Sequence, residues 1–187
     1  MYLRESSMPP QDYWESLFDA DAILARFALR GDVAELGCGY GTFTLPLARR
    51  CGGTVHAIDI DPAMVAIVQR RAAAAGLGNI RTQTRDVITA GFGVPDASLD
   101  AALLFNILHG ESPLRMLGEA RRILKPGGTL AVIHWRTDIE TPRGPNLAIR
   151  PPPGQIIAWA AELGGLGLRE PSYLLPPWHF GIAFFRE

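Results

Sequence analysis

The pattern of apolar and polar positions changes at Gly31. Before it, apolar side chains recur at helical spacing, as Leu17 with Phe18 and Ile23 with Leu24 illustrate, so an amphipathic helical segment is predicted over residues 1–30. After it, short apolar runs alternate with longer stretches of helical periodicity. The predicted strands are DVAEL, TVHAID, NIRTQTRD, LDAALLFN, GGTLAVIHW, SYLL and GIAFFR. The predicted helices cover residues 42–50, 62–75, 113–124 and 155–163.

This alternation predicts an α/β fold. Strands separated by helices need crossover connections, which give a mostly parallel sheet with helices on both faces. Only PPWHF and its flanking residues separate the last two strands, too little for a crossover helix, so one of that pair should run antiparallel. The expected fold is therefore a doubly wound, mostly parallel seven-stranded sheet that ends in an antiparallel hairpin.

Composition narrows the class of protein. The 187 residues are 48% hydrophobic, which suits one domain with one core. A net charge of -1 without a basic stripe argues against nucleic acid as a partner. Two cysteines, Cys38 and Cys51, form neither a disulfide framework nor a metal-ligand set. The start MYLRESSMPP lacks the order of a signal peptide and no apolar run approaches ~18 residues, so we expect a cytoplasmic protein without a membrane partner.

The stretch VAELGCGYGTFTLPLA places Gly37, Gly39 and Gly41 directly after the first predicted strand. In an open parallel sheet this turn forms the ligand site, and glycines let a ligand rest on the backbone. A nicotinamide dinucleotide fingerprint would need a further glycine where Thr42 stands, and Glu35 is an unfavourable neighbour for a pyrophosphate. No Walker lysine follows. The ligand should therefore lack a diphosphate.

Two acids at later strand ends indicate a nucleoside. Asp59 lies twenty residues beyond Gly39, where a carboxylate accepts hydrogen bonds from ribose hydroxyls. Asp86 is predicted to close the third strand, where it could take the exocyclic amine of a purine; an ion pair with Arg81 or Arg85 is the alternative. Together the acids favour an adenosine linked to methionine.

Five motifs in order, AELGCGYGTFT, AIDIDPAM, TRDV, LDAALLFNILH and EARRILKPGGTLAVIHW, resemble the class I S-adenosylmethionine-dependent methyltransferases with a Rossmann-like fold. The resemblance covers residues 33–135 and implies S-adenosyl-L-methionine as the cofactor. It implies that Glu35 faces the methionine amino group, that Asn106 lies near the methionine tail, and that Asp59 holds the ribose. The other cofactor-binding positions it implies are the loop backbone at Gly37, Cys38, Gly39 and Gly41, Ile60 on the adenine, and Asp86 with the Val87 backbone at the adenine edge.

Candidates for the acceptor side follow the fourth and fifth strands. His109 is placed to act as a general base, although a histidine here can equally cap the following turn. His134 and Trp135 either line an acceptor pocket or complete the core. No metal site is predicted.

A proline-rich loop follows the fifth strand, and long ordered loops at this edge commonly carry function. Arg136, Arg143 and Arg150 could pair with a carboxylate or phosphate on the acceptor, with Asp138 and Glu140 as the competing internal partners.

We therefore divide the chain into a helical lid (1–30), a cofactor-binding core (31–136), an acceptor loop (137–154) and a closing helix with two strands (155–187). The predicted activity is direct in-line methyl transfer to a small-molecule acceptor. Two alternatives remain: a non-catalytic S-adenosylmethionine-binding regulatory or assembly module, and an NAD-dependent oxidoreductase.

Overall fold

The computed structural model describes residues 8–187, so residues 1–7 of the predicted lid lie outside the described part. The strands are β1 Gly31–Leu36, β2 Gly52–Asp59, β3 Ile80–Thr84, β4 Leu99–Phe105, β5 Leu124–Trp135, β6 Leu166–Leu175 and β7 His179–Arg186. The helices are α1 Gln11–Glu15, α2 Ala20–Phe27, α3 Thr44–Ala48, α4 Pro62–Ala74, α5 Val87–Ala90, α6 Pro113–Ile123 and α7 Pro153–Leu163, with a 3-10 turn at Leu147–Ile149.

The seven strands form one sheet in the order β3-β2-β1-β4-β5-β7-β6. The first five strands are parallel, and β7 runs antiparallel to both β5 and β6. This confirms the predicted fold class. The chain leaves β1 toward β2 on one side and later returns to β4 on the other, so the strand order reverses at the carboxyl end of β1. Ligands of open α/β sheets bind at such a point.

Helices cover both faces of the sheet. On one face, buried side chains of α5, α6 and α7 pack with β4, β5 and β7, as Leu117 and Ile156 do against Val132. On the other face, Leu24 of α2 and Leu47 of α3 pack with Leu103 of β4. Because the central strands are buried on both faces, their sequences are nearly continuous apolar runs. No helix of residues 8–187 is long and apolar enough to cross a membrane.

Several predicted boundaries were wrong. The predicted strand GGTLAVIHW begins three residues too late, since α6 ends at Ile123 and β5 already begins at Leu124. The predicted strand SYLL is only the last part of the ten-residue β6. The third strand ends at Thr84, and α5, which no periodicity indicated, follows it. A helix of four residues is too short to show a repeat.

The amphipathic segment before β1 forms two helices with different surroundings. Ile23 and Leu24 of α2 are buried in the core beneath the sheet, and the Asp19 carboxylate caps this helix by accepting from the Ala22 amide. No side chain of α1 is buried. The structure thus makes α2 part of the core and leaves α1 as the part of the segment that lies on the surface.

Candidate functional site

The glycine loop joins β1 to α3 at the reversal point of the sheet. Gly37 and Gly39 adopt positive φ angles of 76° and 51°, which side-chain-bearing residues rarely tolerate. A Cβ on Gly37 would come within 3.2 Å of Ile107, and one on Gly39 within 3.1 Å of Met8. Gly37 is exposed and presents its backbone to solvent, whereas Gly39 is buried beside Met8. Gly41 differs, because a Cβ there would collide with Leu45 of the following helix, so this glycine serves packing.

Cys38 lies inside the loop but is buried against Ala57 and Val68. Burial raises the pKa of its thiol far above the usual range, so the side chain is neutral and unreactive. Its amide and that of Gly37 donate to the Ile58 carbonyl at 3.1 and 2.8 Å, which fixes the loop to the end of β2. Only its backbone can serve a ligand.

Asp59, the last residue of β2, is 6% exposed. One carboxylate oxygen accepts from the Gly39 amide at 2.8 Å and the other from the Asp61 amide at 3.0 Å. Burial raises the pKa of this carboxyl despite these bonds. Each oxygen keeps a second lone pair, so the group can still accept hydrogen bonds from a ligand's hydroxyls. Asp61 caps α4 through the Ala63 amide, as its position before Pro62 predicts.

Glu35 stands on β1 between β2 and β4 and is 2% exposed. The Thr44 hydroxyl donates to its Oε2 at 2.5 Å. Loss of hydration raises the pKa of Glu35 to about 8, although the Thr44 hydrogen bond acts in the opposite direction. The side chain is therefore mostly protonated at neutral pH unless a cation approaches it.

A cavity of about 230 Å³ opens beside the glycine loop. Among the residues that line it are five from the sequence prediction: the cofactor candidates Gly37, Asp59, Ile60 and Asp86, and the candidate base His109. Ile60 is 36% exposed, which leaves an apolar side chain available to a flat ligand. Sequence reasoning missed the other lining residues: Leu36, Arg85, Ile88, Ile107, Gly110, Glu111 and Met116.

Asp86 caps α5 instead of closing β3. Its carboxylate accepts a hydrogen bond from the Ile88 amide at 3.0 Å. Within residues 8–187 it forms no ion pair with Arg81 or Arg85. The Arg85 guanidinium instead donates to the Ala90 carbonyl. Asp86 therefore keeps a free carboxylate oxygen at the cavity wall. Val87, the first residue of α5, has a side chain buried in the core, so the predicted contact is open only to its backbone.

Asn106 follows β4 with a positive φ of 59°. Its amide donates to the Ile133 carbonyl, but its side-chain oxygen and nitrogen are buried and have no partner within residues 8–187. Buried polar groups normally find partners, and an exception often marks a ligand site. The prediction that Asn106 contacts the cofactor is consistent with this unpaired amide.

His109 lines the cavity, and its ring lies 5.4 Å from the ring of His134, centroid to centroid. His134 is fully buried, and burial lowers its pKa to about 3. Burial also lowers the pKa of His109. His109 Nδ1 and His134 Nε2 are buried without partners among the described residues. Both imidazoles are therefore neutral near pH 7.

His179, which the sequence analysis missed, pairs with Trp135 across the β5–β7 hairpin. The two rings lie 4.2 Å apart, and Phe18 stacks on His179 at 4.7 Å. Trp14 approaches the Trp135 ring at 6.3 Å. An aromatic cluster of these four residues therefore covers the end of β5.

The three candidate arginines after β5 differ in exposure and in their partners. Arg136 forms a bidentate pair with Asp138, so this cation is satisfied internally. Arg143 is exposed. Arg150 is 7% exposed and folds back to donate to the Pro145 and Arg136 carbonyls, each at 2.8 Å.

The segment around α1 contacts both halves of the site. Glu15 pairs with Arg71 at 2.6 Å, and Arg71 also donates to the Tyr40 carbonyl in the glycine loop. The Tyr40 hydroxyl donates to the Pro9 carbonyl at 2.8 Å. On the other side, the Tyr13 hydroxyl donates to the Pro142 carbonyl of the acceptor loop.

These features fit an adenosine-methionine ligand. The cavity offers carboxylates at Asp59 and Asp86 for hydroxyl and amine donors, with the apolar side chain of Ile60 between them. Glu35 lies near the end of β1, and the unpaired amide of Asn106 follows β4, the strand beside β1. Both groups have the chemistry to hold a polar tail with a cationic amine. No group of three or more His, Cys, Asp and Glu in the described chain is arranged to hold a metal ion.

Comparison with known proteins agrees with this geometry. Residues 33–128, just over half of the chain, match the family described as Methyltransferase domain. Aklanonic acid methyltransferase DauC of Streptomyces sp. strain C5 is 33% identical over 53% of this chain and 46% of its own length. Demethylmenaquinone methyltransferase of Thermus thermophilus is 34% identical over 55% of this chain and 46% of its own.

A solved S-adenosylmethionine-dependent methyltransferase from Aquifex aeolicus shares the fold, with a TM-score of 0.83 at 24% identity over 95% of this chain and 94% of that one. The chain spans less than half the length of the two curated relatives. The matched segment contains the glycine loop, Asp59, Asp86 and Asn106. The chain therefore belongs to the methyltransferase-domain family, of the class I type that uses S-adenosylmethionine.

Proposed function

We propose that the protein transfers the methyl group of S-adenosylmethionine to a small organic acceptor. The observation that carries this proposal is the cavity lined by Asp59, Ile60 and Asp86, together with the buried and unpaired amide of Asn106, whose chain neighbour Ile107 also lines the cavity. Bound there, S-adenosylmethionine supplies an electrophilic methyl carbon on a sulfonium sulfur. The rest of the chemistry is alignment and exclusion of water, which require no covalent step from the protein.

Each cofactor contact has a residue of suitable chemistry. Asp59 accepts from the ribose hydroxyls, while its existing bond to the Gly39 amide keeps the carboxylate oriented. Asp86 accepts from the adenine amine beside the apolar side chain of Ile60. Glu35, protonated when the site is empty of cations, ionises beside the methionine ammonium and then pairs with it.

The acceptor approaches from the end of β5. Trp135 and the neutral histidines His109 and His134 lie there, next to the cofactor cavity. A neutral His109 is in the correct protonation state to accept a proton from an acceptor, provided that the acceptor must lose one.

The segment 8–18, which contains α1, acts as the lid. It contacts two parts of the site. Glu15 forms an ion pair with Arg71, which also holds the glycine loop at the Tyr40 carbonyl, and the Tyr13 hydroxyl donates to the Pro142 carbonyl of the acceptor loop. Its aromatic side chains cover Trp135 and His179. Closure of such a segment removes water and completes a site. The cytoplasmic location inferred from the sequence belongs to this proposal as well.

A binding and transfer experiment separates the proposal from its alternatives. S-adenosylhomocysteine should bind by titration calorimetry and raise the melting temperature, whereas NADH should do neither. Asp59→Ala should weaken that binding by about 1–3 kcal/mol, the scale of leaving ligand hydroxyls unpaired. Asp96→Ala, at an exposed acid that does not line the cavity, is the matched control.

Tight NADH binding without S-adenosylhomocysteine binding would contradict the proposal and favour the oxidoreductase. Binding without methyl transfer to any small molecule would favour the non-catalytic module.

A further inference from the structure

Arg150 carries a buried guanidinium that no carboxylate balances. Its Nε and Nη1 donate to the carbonyls of Pro145 and Arg136, and no Asp or Glu of residues 8–187 forms an ion pair or hydrogen bond with it. Backbone carbonyls offset part of the lost hydration but leave the positive charge uncompensated. Buried charges are normally paired because an unpaired one is costly, so an anion is the expected missing partner.

Three histidine nitrogens near this charge also have no partner in the described chain. They are His109 Nδ1, His134 Nε2 and His179 Nε2, all buried. The hydrogen bond from Arg150 Nη1 to the Arg136 carbonyl places the guanidinium at the end of β5, the strand that carries His134 and pairs with β7 at His179. The Arg150 charge also contributes to lowering the pKa of all three histidines. A neutral imidazole can donate one hydrogen bond without adding charge.

The location of this cluster connects it to methyl transfer. His109 lines the cofactor cavity and His134 lies against His109, so the cluster begins where the cavity ends. Around it stand Trp135, Phe18 and Phe180, with Phe18 belonging to the lid segment. A ligand held here would meet one cation, neutral hydrogen-bonding rings and an aromatic wall.

We propose that Arg150, with the unpaired ring nitrogens of His109 and His134, binds a singly charged anionic oxygen group of the methyl acceptor. The acceptor is accordingly an organic acid with an apolar, aromatic body. This inference rests on the proposed function and states which chemical class of molecule the methyl acceptor belongs to. If Arg150 only fastened the loop, its two carbonyl contacts would suffice, and the buried imidazole nitrogens beside it would have no explanation.

The test compares matched acids and amides. Benzoate against benzamide and 2-naphthoate against 2-naphthamide are titrated into the full chain saturated with S-adenosylhomocysteine. At least one acid should bind ten or more times more tightly than its amide. Arg150→Gln should remove this preference with unchanged S-adenosylhomocysteine affinity, and Arg150→Lys should retain part of it. Arg70→Gln, the same change at an exposed position on α4, should leave the preference intact.

Equal binding of acids and amides to the wild-type complex, including no binding of either, would overturn the inference while leaving the proposed function in place. A preference that persists in Arg150→Gln would also overturn it. If Arg150→Gln fails to fold, the wild-type comparison decides: a tenfold preference supports the inference and equality overturns it. A wild-type protein that does not bind S-adenosylhomocysteine would overturn the proposed function and this inference with it.

Discussion

Glu35 occupies a position where an ionised carboxylate is costly. The sequence shows an acid at the end of an apolar run, and the fold places that acid on the central strand with almost no exposure. Its raised pKa of about 8 results from burial, and only the Thr44 hydroxyl compensates for it. A ligand ammonium beside this carboxyl would restore the ordinary pKa, so cofactor binding and proton release should be coupled.

Binding of S-adenosylhomocysteine at pH 7 should therefore release close to one proton. Titration calorimetry in two buffers with different ionisation enthalpies measures this number directly. Glu35→Gln cannot ionise, so its binding should be weaker and accompanied by no such release. An unchanged proton count in Glu35→Gln would show that another group is responsible.

His134 makes stability depend on acid pH. Its folded-state pKa of about 3 lies below the ordinary 6.5, so between these values the unfolded chain holds a proton that the folded chain lacks. The stability it contributes is present above pH 6.5 and declines as the pH falls toward 3, with a slope of up to about 1.4 kcal/mol per pH unit.

His134→Gln should have a shallower decline of unfolding free energy between pH 7 and pH 5 than the wild type. Urea denaturation at several pH values measures it, and Arg70→Gln, at an exposed position on α4, is the control for a glutamine substitution at a residue that does not titrate in this range. Identical pH slopes in wild type and His134→Gln would contradict the assignment.

Some of the residues around the cavity could be predicted from the local sequence, whereas others are brought there only by strand pairing and loop folding. The strand pattern pointed to Asp59 and Asp86, and both line the cavity, although Asp86 lies two residues beyond the end of β3 and caps α5. His179 was missed because only the β5–β7 register brings it beside Trp135. Arg150 is buried, whereas Arg136 pairs with Asp138. This difference depends on how the loop folds back, which the spacing of residues in the sequence does not predict.

At the scale of elements, α1 and α2 look alike in sequence and differ in role. Side chains of α2 reach the core, whereas α1 is held by the polar and aromatic contacts of Tyr13, Trp14 and Glu15. A segment held by surface contacts of this kind unfolds locally at a lower free energy than a segment packed in the core does. We therefore expect α1 to respond to ligand and α2 to stay closed.

Hydrogen exchange tests this difference within one molecule. Amides of residues 11–18 should exchange more slowly with S-adenosylhomocysteine than without it, while those of α2 should be protected equally in both states. Equal protection of residues 11–18 with and without ligand would make α1 a permanent structural helix.

The element pattern could be predicted where periodicity was long and punctuation clear. Helix α4 begins at Pro62 after its Asp61 cap as expected. The errors fall where the signal is short or misleading: α5 has four residues, and the predicted fifth strand omits Leu124, Lys125 and Pro126, which lie within β5. The pairing of β5 with β4, which begins at Leu124, overrides such local preferences.

At the scale of the molecule, the fold separates two tasks. The parallel half of the sheet, with the glycine loop, Asp59 and Asp86, carries the part shared with the methyltransferase family. The antiparallel end, with His179 on β7 and the acceptor loop above β5, lies outside the matched segment. Acceptor specificity should therefore reside in the second part, because a shared scaffold does not determine function.

The most direct test of the central claim is transfer of a labelled methyl group. The purified chain is incubated with S-adenosylmethionine carrying a trideuterated methyl and a pooled small-molecule extract, and products are identified by mass spectrometry. We predict one or a few small organic acids that gain one trideuteromethyl group, with the signal lost in Asp59→Ala. S-adenosylhomocysteine binding with no labelled small molecule, or label found only on protein or nucleic acid, would contradict the account.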